Sequence, residues 1–202
     1  MTPSRVVLAL AVLGGTSQVG CGSGSPSAGG SCTNVTGCGG DVVGTWTIVS
    51  SCVQATIMMS CGQVISSSAG LTTTGTITYN TDLTYMTTTA STGTATVSEP
   101  DACLTFQGTT LTCDQLGASA QAMTPGAVST ACTDSGGVCK CTITVSQASS
   151  TESGTYSLSG NTITRTPTGK TAATSNYCVR GTELDESPAQ ANTSGVTVYS
   201  KQ

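Results

Sequence analysis

Eleven cysteines in 202 residues limit what this chain can fold into more than any other feature. They are Cys21, Cys32, Cys38, Cys52, Cys61, Cys103, Cys113, Cys132, Cys139, Cys141 and Cys178. Cytosolic glutathione keeps thiols reduced, so this density points to an oxidising compartment where cysteines close into disulfides. The count is odd, so at least one sulfur has a different fate. Setting Cys21 aside leaves an even set, with about 945 ways of pairing and no means of choosing among them from sequence. Cys32 and Cys38 lie close together in a Gly/Ser-rich stretch and are expected to close a small loop with each other.

The N-terminus accounts for Cys21. Arg5 gives the first residues a positive charge, and an unbroken apolar run follows from Val6 to Leu13. That run is far short of the ~20 residues a permanent transmembrane helix needs, and it fits the apolar region of an export signal. Gln18-Val19-Gly20-Cys21 then resembles the lipobox of bacterial lipoproteins, with Gln18 standing where that family usually carries Leu or another aliphatic residue. The resemblance implies cleavage before Cys21 and a diacylglyceryl group on its sulfur. The alternative is an ordinary secretory signal with Cys21 in a disulfide. Two or three acyl chains, at ~0.8 kcal/mol per buried CH₂, would anchor the protein where one would not.

The expected organisation is a signal peptide over 1–20, a tether over 21–40 and a folded domain over 41–202. A flexible tether of that length has an r.m.s. span of about 22–26 Å. No Asp follows Cys21, which resembles the outer-membrane sorting pattern of lipoproteins. The expected location is therefore the outer membrane or cell surface, with the membrane as a partner through the lipid.

From Asp41 onward Thr, Val and Ile recur between Gly, Asn and Asp, a pattern of β-strands and turns. Val43–Val49 places Trp46 and Ile48 on one face and Thr45 and Thr47 on the other. Gly75–Tyr79, a turn at Asn80–Asp82 and Leu83–Met86 read as a hairpin. A further run lies near Gly93–Val97, and Cys103–Cys113 reads as a hairpin or looped excursion around Gly108. The Ala-rich segment Asp114–Ala122 permits one short helix. Lys140–Val145 is a strand, Gly154–Arg165 a clear hairpin around Ser159-Gly160-Asn161, Asn176–Leu184 another, and Val196–Tyr199 the last strand. The expectation is an all-β fold of about eight to ten short antiparallel strands, a barrel or sandwich, with at most one short helix and several disulfides.

Gly44-Thr45-Trp46 on the first strand is similar to the Gly-x-Trp signature of lipocalins and lipocalin-like domains. The hairpins at Gly75–Tyr85 and Gly154–Ile163 resemble the hairpins of lipocalin-like lipoproteins. This resemblance, covering loosely Asp41 to Tyr199, implies an up-and-down barrel whose first-strand Trp packs across the closed end. The chain departs from the family in its many cysteines and few large apolar residues.

The residues present also exclude chemistry. Histidine is absent, which removes the usual base near neutral pH, the Ser-His and Cys-His pairs and the commonest metal ligand. Asp82, Asp114 and Asp134 sit where turns or caps favour Asp, so no catalytic constellation emerges and an enzyme is not expected. Cys139-Lys140-Cys141 puts two sulfurs on one strand face, a soft-metal or redox pattern, but with so many other cysteines in an oxidising space two structural disulfides to different partners are the expected reading. Glu183, Asp185 and Glu186 could approach a Ca²⁺ ion, but a solvated strand end is the expected reading. Trp46 is expected in the core rather than stacked on a ligand. No metal or cofactor is expected. With a net charge of −4 and no basic patch, neither is nucleic acid. Two functions lead, with an extracellular hydrolase acting through two carboxylates a distant third: a barrel that holds a small apolar ligand, or an envelope protein without one that meets a polysaccharide or another protein. A cavity of several hundred Å³ would favour the first, and a lumen filled by side chains the second.

Overall fold

The computed structural model describes residues 32–106 and 109–202. The signal peptide at 1–20, Cys21 and the tether as far as residue 31 lie outside the described residues, as does Gly108. The described chain forms β1 (Gly44–Met59), β2 (Gly62–Tyr79), β3 (Thr84–Pro100), β4 (Thr105–Phe106), β5 (Thr109–Thr110), α1 (Cys113–Met123), β6 (Ala127–Ser135), β7 (Val138–Ser159), β8 (Thr162–Pro167), β9 (Ala173–Arg180), β10 (Glu183–Pro188) and β11 (Thr193–Lys201).

The sheet is antiparallel and closes on itself. Around the ring run β1, β2, β3, β7, β8, β9, β10 and β11, with β11 returning to β1. Successive ring strands are neighbours in sequence, apart from the excursion between β3 and β7, so this is an eight-stranded up-and-down barrel. The pair β4–β5 is the excursion's small hairpin.

Strand length gives the barrel its shape. β1, β2, β3 and β7 have 16, 18, 17 and 22 residues, whereas β8, β9, β10 and β11 have 6, 8, 6 and 9. One half of the wall is therefore much taller than the other. One edge of β7 is shared: β8 pairs with Gly154–Ser159, while β6 pairs with Val138–Val145. The runs read as separate at Gly93–Val97, Lys140–Val145 and Gly154–Leu158 are parts of the long strands β3 and β7, not short strands of their own. Two glycines allow β2 and β3 to approach closely. A Cβ on Gly75 (φ +140°) would lie 1.9 Å from the Thr88 carbonyl oxygen, and one on Gly93 (φ +119°) 2.3 Å from that of Gly70.

The core is concentrated at one end. Trp46 and Ile48 from β1, Ile77 and Tyr79 from β2, Tyr85 from β3, Tyr156 from β7, Ile163 from β8, Tyr177 from β9, Leu184 from β10 and Tyr199 from β11 form one cluster with Val42. It contains all 5 tyrosines and the single tryptophan of the chain. Trp46 is fully buried, as the alternation of β1 predicts, and its Nε1 donates to the Val42 carbonyl at 2.7 Å. At the far end a smaller cluster of Val64, Val97, Ile143 and Val145 packs against Ala120 of α1. The helix begins at a capping box in which Thr112 and Gln115 bond each other's backbone, so its cap is Thr112 and not Asp114.

All ten described cysteines are paired: Cys32–Cys52, Cys38–Cys178, Cys61–Cys103, Cys113–Cys139 and Cys132–Cys141. Cys32 and Cys38 do not bond each other. The chain between them is bonded in turn to β11 and β10, so Cys32 meets β1 and Cys38 meets β9. Residues 32–40, read from their composition as tether, are strapped to the domain. Asn34 Oδ1 accepts from the Gly195 amide at 2.7 Å, the Val35 amide donates to Ser187 Oγ at 2.7 Å, and the Cys38 amide donates to the Tyr177 carbonyl at 2.9 Å.

Cys38–Cys178 closes 140 residues and Cys132–Cys141 only 9. Other bridges shorten the longer loop in the unfolded chain, and loop entropy then assigns about 4–5 kcal/mol to the first and about 2.5 kcal/mol to the second. Replacing Cys38 and Cys178 together by Ser is expected to lower the denaturation midpoint more than replacing Cys132 and Cys141. Equal losses, or the reverse order, in chemical denaturation would contradict this account.

Candidate functional site

Above the aromatic cluster the inward side chains become small. Along one face of β3 they run Tyr85, Thr87, Thr89, Ser91, Ala95 and Val97, and along β1 they run from Trp46 and Ile48 to Ser51, Val53, Ala55 and Ile57. On β2 the order from the aromatic end is Tyr79, Ile77, Thr73, Leu71, Ser68, Ser66 and Val64. The register shift between Ser67 and Gly70 moves the inward phase from odd to even positions. Three zones follow: aromatic, hydroxyl and aliphatic. Ser and Thr are too short to meet across the barrel, and a cavity of about 670 Å³ remains in the middle and upper zones. The short strands leave one side low, where Lys170 after β8, Gln190–Asn192 before β11 and Thr193 at the start of β11 form the rim.

The cavity floor is a buried ion pair. Arg165 on β8 shares the inward face with Ile163, and its Nη2 lies 2.9 Å from Glu186 Oε2 on β10. Glu186 is 1 % exposed and Arg165 8 %. The other oxygen of Glu186 accepts from the Tyr79 hydroxyl at 2.6 Å. Burial pushes the Tyr79 phenol well above its ordinary pKa, Arg165 pulls the other way, and Glu186 adds to the rise, so Tyr79 stays a neutral donor. Higher on the wall Glu152 accepts from the Tyr85 hydroxyl at 3.0 Å and from Lys170 Nζ at 2.7 Å. Burial raises the Tyr85 phenol too, and its hydrogen bond to Glu152 adds to the rise. Each carboxylate here is committed through both oxygens. The arrangement offers no base poised over a nucleophile; it is a rigid, charge-matched floor and wall.

The sequence-predicted site residues separate in space. Gly44 begins β1 with φ +129°, and Trp46 packs in the filled end with Lys201 Nζ 5.0 Å above its ring. Asp82 Oδ1 caps the β2–β3 turn through the Thr84 amide and hydroxyl, and these bonds hold its carboxyl below the usual value. Asp114 lies in the first turn of α1, and Asp134 pairs with Cys139 across β6 and β7. Cys139 and Cys141 do share a face, with sulfurs 3.8 Å apart, and both belong to disulfides. Cys113 and Cys132 complete a group of four sulfurs within 4.8 Å of one another.

The acidic segment is not a solvated strand end. Asp185 and Glu186 are both buried on opposite faces of β10; Glu186 meets Arg165 and Asp185 meets Arg180, while Glu183 lies 4.0 Å from Arg180. A Ca²⁺ ion would find Glu186 on the face opposite Glu183 and Asp185, and all three carboxylates already beside an arginine. Of the two residues that organise the floor, sequence reasoning missed Arg165 as a site residue and weighed Glu186 only as a Ca²⁺ ligand or part of a solvated strand end. The available signal was Arg165 in phase with Ile163 on a strand. A charge at an apolar position requires a buried partner.

Together these features define an all-β, disulfide-bonded, eight-stranded barrel with a filled end and a cavity above it. No family model, curated protein or solved structure matches the chain.

Removing one partner of a buried pair costs about 3–5 kcal/mol, whereas replacing both by apolar residues is close to neutral. Glu186→Ala is thus expected to lower the melting midpoint by roughly 6–20 °C at 2–4 °C per kcal/mol. Adding Arg165→Met to Glu186→Leu should recover most of that loss. A double variant as unstable as Glu186→Ala would contradict the pairing argument.

Proposed function

We propose that this protein is an exported, lipid-anchored envelope protein that binds a small ligand in its barrel. The observation that carries the ligand reading is the cavity of about 670 Å³, a size suited to a small molecule, at the unfilled end of the barrel. Its aliphatic zone at Val64, Val97 and Val145 gives an apolar ligand a surface to cover. The up-and-down order of eight strands and the burial of Trp46 in the filled end support the lipocalin-like reading. Export is supported by the pairing of every described cysteine, since five disulfides persist in an oxidising space. With those ten paired, Cys21 is the one left for acylation at the lipobox-like Gly20-Cys21. The outer membrane or cell surface is the location this reading favours.

A second reading, an envelope interaction protein with no small ligand, draws on outer-face hydroxyl pairs. Thr45 and Thr78 lie 3.0 Å apart, and Thr164 and Thr174 2.9 Å. Such rows could meet a polysaccharide or a protein.

Filling the cavity separates the two. Ala95→Trp is expected to weaken binding of the uncharged fluorescent probe phenylnaphthylamine by about tenfold or more, because the indole occupies the ligand volume. Ser157→Trp, on the exposed outer face of β7, is the control and should leave binding unchanged. Equal binding by wild type and both folded variants, read by fluorescence titration, would overturn the cavity as the site.

A further inference from the structure

We infer that the ligand of this cavity is an uncharged amphiphile, its polar end against the hydroxyl zone and its aliphatic body on the Val64–Val97–Val145 surface. This rests on the cavity being a ligand site, as proposed above.

Charge pairing is the first argument. Only Glu152, Arg165 and Lys170 among the lining residues are ionised. Arg165 is matched by Glu186, and Lys170 by Glu152. A carboxylate ligand would have to draw a cation out of one of these pairs and leave its carboxylate uncompensated. An ammonium ligand would need Glu152, whose oxygens already accept from Lys170 and the Tyr85 hydroxyl. An ion that breaks the Arg165–Glu186 pair leaves a buried charge unmatched, which is costly, whereas at the Lys170–Glu152 pair, where the Lys170 side chain is 64 % exposed, the penalty is smaller. A neutral molecule disturbs neither pair.

The zoning is the second argument. Thr73, Thr87, Thr89 and Ser91 form the belt above the floor. Thr87 donates to the Thr76 carbonyl at 3.1 Å and Thr73 and Ser91 bond each other at 3.1 Å, so these three keep acceptor lone pairs, while the Thr89 hydroxyl can both donate and accept; the belt suits an alcohol or amide. Val64, Val97 and Val145 form the opposite zone, and Leu71 packs against them. No aromatic side chain lines the cavity among the described residues, so no ring face is offered for stacking, and an aliphatic body matches the wall better than a planar one.

The test uses decanol, decanoate and decylammonium, which share a chain and differ in charge. Each is titrated into the full folded domain by displacement of phenylnaphthylamine at neutral pH. Decanol is expected to bind about tenfold or more tightly than either ion. Decanoate or decylammonium binding as tightly as decanol would overturn the inference while leaving the cavity as a ligand site. Failure of all three, together with failure of the fluorescent probe, would overturn the site itself. Glu152→Gln supplies a second readout: it leaves Lys170 without its carboxylate, so the affinity ratio of decanoate to decanol should rise severalfold. An unchanged ratio would mean that charge pairing does not set the selectivity.

Discussion

The placement of aromatic side chains is the constraint on which the rest of this structure depends. The chain has 5 tyrosines and 1 tryptophan, and all of them enter a single cluster. An eight-stranded barrel has an interior just wide enough for side chains to fill, provided that they are large. Where Trp46, Tyr79, Tyr85, Tyr156 and Tyr199 project inward, the barrel is filled. Where Thr87, Thr89, Ser91 and Ser66 project inward, opposite walls cannot touch. The cavity is the geometric consequence of placing large residues at one end and small ones at the other.

A wall without a core behind it needs other support, and the covalent bonds supply it. Cys61–Cys103 and the two bridges through Cys139 and Cys141 tie the excursion between β3 and β7 to the tall strands. Cys32–Cys52 fastens the leading segment to β1, on the face opposite Ser51 and Val53. Only Cys38–Cys178 lies beside the aromatic cluster, next to Tyr177. Between the two regions the Arg165–Glu186 pair, bonded to Tyr79, sets the level at which packing stops. Its fixed charges are mutually compensated, so the floor of the cavity is polar without carrying a net charge.

Much of the fold was legible because local pattern and final structure agree. Trp46 and Ile48 alternate with Thr45 and Thr47, and the barrel uses that alternation unchanged. The hairpins at Asn80–Leu83 and around Gly160 carry their own turn residues. β6 was not legible: Ala127–Ser135 is mostly small and polar, and it is a strand because β7 offers an edge to it. The polar stretch Gln147–Ser153 hid the continuity of β7, whose pairing with β3 runs through it. The cavity could not be read at all. Its lining depends on where the register shift near Ser67 switches the inward phase of β2, and a one-residue change of phase sends every side chain to the other face. The disulfide map was equally hidden, because Cys38 meets Cys178 across 140 residues that only the closed barrel brings together.

Native mass spectrometry of the protein purified gently from its native source tests the central claim most directly. The account predicts a mass in excess of the disulfide-bonded polypeptide with whatever covalent groups it carries, and loss of that excess when the same sample is denatured. The departing species should be uncharged and partly aliphatic. Identical masses before and after denaturation, from protein whose cavity still takes up a neutral probe, would contradict a resident ligand. Failure to take up the probe as well would contradict the cavity itself.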